Sequence, residues 1–143
     1  MKNYQYILLD WDGNLAKTLD LWLEAFRAIL TEEGFYSSAS PGKTQDYFAS
    51  LGIEDPAAVY QRADQYGKKK LPEVELYPDA LEVLGYLKNI NKQTALITTS
   101  PHANIDHLLD RYDMHRLFDV VITGEQVGKH KPDPESLLMA LEE

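Results

Sequence analysis

Two aspartates, Asp10 and Asp12, stand one residue apart at the end of an apolar stretch and are followed at once by Gly13. Two carboxylates this close repel each other, so a chain that keeps them needs a compensating charge. A divalent cation supplies it and takes hard oxygen ligands. Farther along, "TALIT" ends in the hydroxyls Thr98, Thr99 and Ser100. A third apolar stretch, "FDVVIT", is followed by Lys129 and Lys131. Acids, hydroxyls and amines that each follow an apolar stretch suit one ligand in particular, a phosphate bridged to a cation.

The elements that must position these groups alternate. Residues 4–10 read as a buried first strand. A helix over 18–34 carries Leu19, Trp22, Phe26, Ile29 and Leu30 at helical spacing and stops at Gly34. Residues 35–42 have turn chemistry. Two more helices are expected over 43–52 and 55–70, the latter with Pro56 in its first turn. Residues 71–78 read as a linker, and Asp79 as the cap of a helix carrying Leu81, Leu84 and Leu87. Strands at 94–98 and 118–123 flank a helix at 103–112, and a last helix follows the lysines.

This alternation predicts an α/β fold with a parallel sheet, a three-layer Rossmann-like core over 1–16 and 78–143. The span 17–77 is nearly all helical and reads as a cap inserted after strand one. In open parallel sheets ligands sit at the carboxyl ends of the strands, which gathers Asp10, Thr98 and Lys131 on one rim.

Composition narrows the function. The chain has 143 residues, a net charge of −9 and no cysteine. Thiolate chemistry, disulfides and cysteine-bound zinc are excluded. Such a charge argues against nucleic-acid binding. No apolar run is long enough to cross a membrane, no signal peptide is visible, and a cytoplasmic protein is expected. His102, His107, His115 and His130 share no metal-ligand spacing and read as surface or satisfied histidines. Trp22 and Phe26 read as core of the cap. Tyr47, Arg62 and the Lys68–Lys70 group could reach a substrate, and the sequence does not choose among them.

"ILLDWDGNL", "ALITTS" and "KHKPDPE" occur in that order, each after a strand. Together they resemble the haloacid dehalogenase-like superfamily, in its phosphatase branch with a helical cap of the C1 type. The resemblance implies a Mg²⁺-dependent phosphatase that hydrolyses a small phosphorylated metabolite through an aspartyl-phosphate. It implies Asp10 as nucleophile and Asp12 as general acid/base, with Asp10 and the Asp12 carbonyl as metal ligands. It implies Thr98 as a hydrogen-bond donor to the phosphoryl group and Lys131 as the charge that tempers Asp10. Gly13, Thr99 and Ser100 would line the phosphate. Dehalogenases of the superfamily lack the second acid, so Asp12 favours phosphate esters.

The chain departs from the pattern in two places. Asn14 stands where threonine is commonest. The fourth motif, acids after a fourth strand, is not seen before Glu143. The resemblance therefore implies a chain truncated relative to its family, with the C-terminal strands of the core missing. Weakened Mg²⁺ binding, little turnover and self-association through the uncovered edge of strand one are the matching expectations. A phosphomutase and a non-catalytic phosphate- or Mg²⁺-binding fragment remain as alternatives.

Overall fold

The computed structural model describes residues 4–35 and 51–143. The chain divides into two compact units, residues 1–17 with 75–143 and residues 18–74.

The first unit is built on parallel strands β1 (Tyr6–Leu9), β2 (Gln93–Ile97) and β3 (Val120–Ile122). Among the described residues they form one sheet in the order β1-β2-β3, with Ile7 beside Thr94 and Leu96 beside Val121. Helices α3 (Ala80–Asn89), α4 (His102–Arg111) and α5 (Glu135–Glu142) complete this α/β, Rossmann-like unit. Side chains alternate across a strand. Ala95 and Ile97 of β2 share one face with Ile122 and pack against Ala140 of α5. Thr94 and Leu96 point to the other face and are almost fully buried. Leu84 on α3 and Ile105, Leu108 and Leu109 on α4 are fully buried as well.

Strand β1 departs from the expected buried strand. It is shorter, and Tyr6 and Leu8 are 54% and 39% exposed while Ile7 and Leu9 are half-buried. The reason is its place at the sheet edge, paired among the described residues to β2 alone. Asp79 marks the start of α3 as expected, but its carboxylate makes no cap bond. Its backbone is already helical, φ −97° and ψ 0°, because the preceding turn closes from the Ala80 amide to the Tyr77 carbonyl at 3.1 Å. A capping side chain works from an extended backbone instead.

The supposed linker has structure. Leu71–Glu73 form one 3₁₀ turn, and Leu76 bridges antiparallel to Ala16. The Lys17 amide donates to the Glu75 carbonyl and the Tyr77 amide to the Leu15 carbonyl, both at 2.9 Å. The two crossings between the units are thus stitched together within the first unit.

The second unit packs α1 (Thr18–Glu32) against α2 (Pro56–Lys70). Asp55 caps α2, its carboxylate accepting from the Ala58 amide at 3.0 Å, just before Pro56. Ala25, Ile29, Leu30, Val59 and Ala63 form the core, with Trp22 and Phe26 against it. A Cβ on Gly67 would lie 2.2 Å from the Trp22 ring, so the indole fills the space a side chain would need. Arg62 is engaged by Glu32 and Glu33, Lys68 by Asp64, and Lys70 by Glu24. The helix expected over 43–52 and Tyr47 fall largely or wholly outside the described residues. No helix of the described residues is long and apolar enough to cross a membrane.

Candidate active site

β1 ends at Leu9, and the chain turns sharply into a closed loop. Trp11 anchors it. The indole is fully buried, and the Trp11 carbonyl accepts from the amides of Asn14, Leu15 and Ala16 at 3.1–3.2 Å. Gly13 takes φ +73°, a left-handed backbone that side chains with a Cβ adopt at a cost. This tight turn carries Asp10 and Asp12.

Asp10 Oδ1 accepts the Trp11 amide at 2.8 Å and the Lys131 ammonium at 2.6 Å. Lys131 comes from the segment after β3, 121 residues away in sequence, and its Nζ also donates to the Ile97 carbonyl at 3.2 Å. The Lys131–Pro132 peptide is cis. The lysine thereby ties the end of β1 to the end of β2 and places a positive charge beside the first carboxylate. Both side chains remain partly open to solvent, Lys131 at 34% and Asp10 at 48%.

Asp12 is served by the segment after β2. Ser100 Oγ donates to Asp12 Oδ2 at 2.7 Å, and Thr98 Oγ1 lies 3.4 Å from the same oxygen. Thr98 is 2% exposed, and its hydroxyl accepts the Ser100 amide at 3.0 Å. With one lone pair so engaged, that hydroxyl turns its proton toward the Asp12 side of the loop. Thr98 is held in turn by its own amide, which donates to the Ile122 carbonyl at 3.0 Å.

Asp10, Asp12, Thr98, Ser100 and Lys131 thus converge, as the motif order suggested. Ser100, expected to line the phosphate, donates to the second aspartate. Thr99 is exposed. Lys129 stands in solvent, 73% exposed. Asp106, half-buried, gathers with the exposed Asp110 and His115 beside α4, His115 Nε2 lying 2.9 Å from Asp110. Sequence spacing gave no hint of that cluster, because the turn at Asp113 (φ +50°) folds His115 back beside α4.

Two further residues escaped sequence reading. A Cβ on Gly124 would sit 2.2 Å from the Thr99 carbonyl oxygen, and the Gly124 amide donates to the Ser100 carbonyl at 3.1 Å. The end of β3 therefore braces the hydroxyl loop. Glu135, first residue of α5, accepts the Gly128 amide at 2.8 Å and the Lys129 amide at 2.9 Å. A lone glycine and an acid at a helix start are too common in sequences to signal either role.

Asp10 would offer a carboxylate oxygen and Asp12 its backbone carbonyl, a donor set of hard oxygens. Such a set matches Mg²⁺, which prefers one or two carboxylates together with water and phosphate oxygens. Chemically, the cluster offers a fixed carboxylate nucleophile, a second carboxylate for proton transfer, a hydroxyl proton and a cation, all around one rim.

The sequence model of the haloacid dehalogenase-like hydrolase family matches residues 7–143. The chain is 28% identical over 148 residues to a phosphorylated carbohydrates phosphatase of Thermotoga maritima, covering 95% of this chain and 68% of that protein. It is 27% identical over 120 residues to a phosphoglycolate phosphatase of Pseudomonas syringae pv. syringae, covering 84% of this chain and 42% of that one. The crystal structure of a protein from Bacteroides fragilis, described as a putative haloacid dehalogenase-like hydrolase, superposes with a TM-score of 0.77. It is 30% identical, with 98% of this chain and 72% of that chain covered. The chain thus spans from under half to about two thirds of the curated relatives it matches.

Proposed function

Because the chain belongs to the haloacid dehalogenase-like hydrolase family, we propose that it carries the site of a Mg²⁺-dependent phosphatase for small phosphorylated metabolites. The observation that supports this reading is that Lys131 meets Asp10 at 2.6 Å and Thr98 meets Asp12 at 3.4 Å, the two aspartates standing one residue apart just after β1.

In this mechanism Asp10 attacks phosphorus. The O–P bond to the substrate breaks as the bond from the Asp10 carboxylate forms, giving an acyl phosphate. Fixing Oδ1 by the Trp11 amide and Lys131 orients the carboxylate for attack. Asp12 gives its proton to the departing alkoxide, then takes one from the water that hydrolyses the acyl phosphate. Ser100 holds Asp12 at a set angle to that proton path. Thr98 directs its hydroxyl proton to a phosphoryl oxygen, and Lys131 offsets the charge that accumulates there. Asp10 and Asp12 would hold Mg²⁺, which when bound supplies charge neutralisation and orientation of the phosphate.

In this reading the helical unit 18–74 is the cap, and the protein works in the cytoplasm on its small phosphorylated substrate. Copies associate through the open edge of β1, where Tyr6 and Leu8 are exposed.

The test is phosphate release from a panel of small phosphate esters with and without Mg²⁺, for this chain and for a form lengthened to match its relatives. Mg²⁺-dependent release that Asp10→Asn abolishes supports the phosphatase. Conversion of a sugar phosphate to its isomer without net release would make it a mutase. Inertness of both forms on every ester would overturn the enzymatic reading.

A further inference from the structure

Lys131 reaches Asp10 from the middle of an exposed stretch, and keeping a long flexible side chain aimed from such a stretch calls for a support on its backbone. Glu135 supplies one. Its two carboxylate oxygens divide between two consecutive amides, Oε1 taking Gly128 at 2.8 Å and Oε2 taking Lys129 at 2.9 Å. The Glu135 amide itself donates to Asp133 Oδ1 at 3.1 Å, and the Asp133 amide to the His130 carbonyl at 3.0 Å. Residues 128–135 are thereby closed into a ring, with Lys131 inside it and both ends fixed on α5. Bonds from amides to an ionised acceptor are stronger than those between neutral groups.

We propose that Glu135 is a positioning residue for the site: its carboxylate clamps the Gly128 and Lys129 amides and so aims Lys131 at Asp10. The contribution to turnover rests on the phosphatase reading; the clamp itself does not. An acid in the first turn of a helix also favours the helix dipole. That simpler role would alter stability and leave Lys131 where it is.

The experiment uses ¹⁵N-labelled chain. Amide hydrogen exchange is followed at Gly128 and Lys129, together with the side-chain ammonium resonance of Lys131, assigned by its loss in Lys131→Met. Loss of one charge-assisted bond corresponds to roughly tenfold or more in exchange. Glu135→Ala is expected to accelerate both amides by about that factor and to remove the Lys131 resonance through fast exchange with water. Glu135→Gln, which keeps one acceptor, is expected to protect one amide and leave the other fast. Circular dichroism confirms that each variant is folded; if Glu135→Ala is not, Glu135→Gln decides. Unchanged amide exchange, or a Lys131 resonance that persists in both variants, overturns the clamp. Where the wild type hydrolyses an ester, kcat of Glu135→Ala is expected to fall about tenfold with KM within twofold, and an unchanged kcat overturns the positioning role. A wild type inert toward all esters would count against the phosphatase alone, since the resonance still decides the clamp.

Discussion

Lys131→Met separates what the lysine does for the fold from what it does for the chemistry. The side chain is nearly isosteric without its charge, so the change removes the bonds to Asp10 Oδ1 at 2.6 Å and to the Ile97 carbonyl at 3.2 Å. In bulk water two unit charges at that separation attract by about 1.6 kcal/mol. Both side chains are a third or more exposed, 34% and 48%, and exposed pairs return about 0–1 kcal/mol once solvent and side-chain entropy are included. The loss of stability should therefore be about 1 kcal/mol or less, a fall in Tm of roughly 2–4 °C for a chain of this size. Turnover should suffer far more. In the proposed attack, negative charge would spread over the phosphoryl oxygens beside Asp10, and removing one preplaced donor costs about 10²–10³ in kcat. Calorimetry and steady-state release of phosphate from a substrate ester measure the two effects on one preparation. Lys131→Arg should recover only part of the rate, because a planar guanidinium does not replace a compact ammonium. A kcat within about threefold of wild type would refute the reasoning. So would a Tm drop above about 10 °C, which would make the lysine a structural strut.

Other outcomes follow from neighbouring contacts. Gly124→Ala places a methyl 2.2 Å from the Thr99 carbonyl and should cost about 1–3 kcal/mol by denaturant titration, with the Ser100 resonances displaced. Ser100→Ala removes the 2.7 Å bond to Asp12. Its kcat should fall about tenfold or more with KM little changed, and Ser100→Thr should restore much of the loss. Asp119 is held below the usual carboxylate range by the Lys88 ammonium at 2.6 Å and the Thr94 amide at 2.7 Å. A depressed folded-state value means that its stabilisation is fully present above about pH 4 and is lost as the pH falls through the lowered value. In urea titrations the gap between wild type and Asp119→Asn, on the order of 1 kcal/mol for this half-exposed group, should therefore close in acid. A gap independent of pH would contradict that account.

The grouping of the candidate residues was more legible in the sequence than the edges of the fold. Asp10, Asp12 and Thr98 are legible because they closely follow strands of a parallel sheet, whose topology gathers strand ends onto one rim, and Lys131 because it lies in the segment that leaves the third strand. Helices α1 and α2 are legible from their apolar spacing, and Pro56 and Gly34 mark a start and a stop. The exposure of Tyr6 and Leu8 was not, since an apolar run looks the same in a central and an edge strand. Nor was the pairing of Ala16 with Leu76, because a single bridge across about 60 residues leaves no local pattern. Ser100 could be placed near the site but not on Asp12, as one hydroxyl among three consecutive ones has no distinguishing neighbour in sequence. Gly124 acts through its own backbone and the Glu135 carboxylate holds the amides of Gly128 and Lys129; backbone groups are the same in every residue, so neither contact leaves a mark in the sequence.

The central claim is that the Asp10 carboxylate becomes phosphorylated. Rapid acid quench of the protein turning over a substrate labelled at phosphorus, followed by peptide mass spectrometry, tests it most directly. The account predicts one acid-stable, hydroxylamine-sensitive phosphoryl group on the peptide containing Asp10, absent in Asp10→Asn. Turnover with label on no residue, or on one other than Asp10, would contradict it.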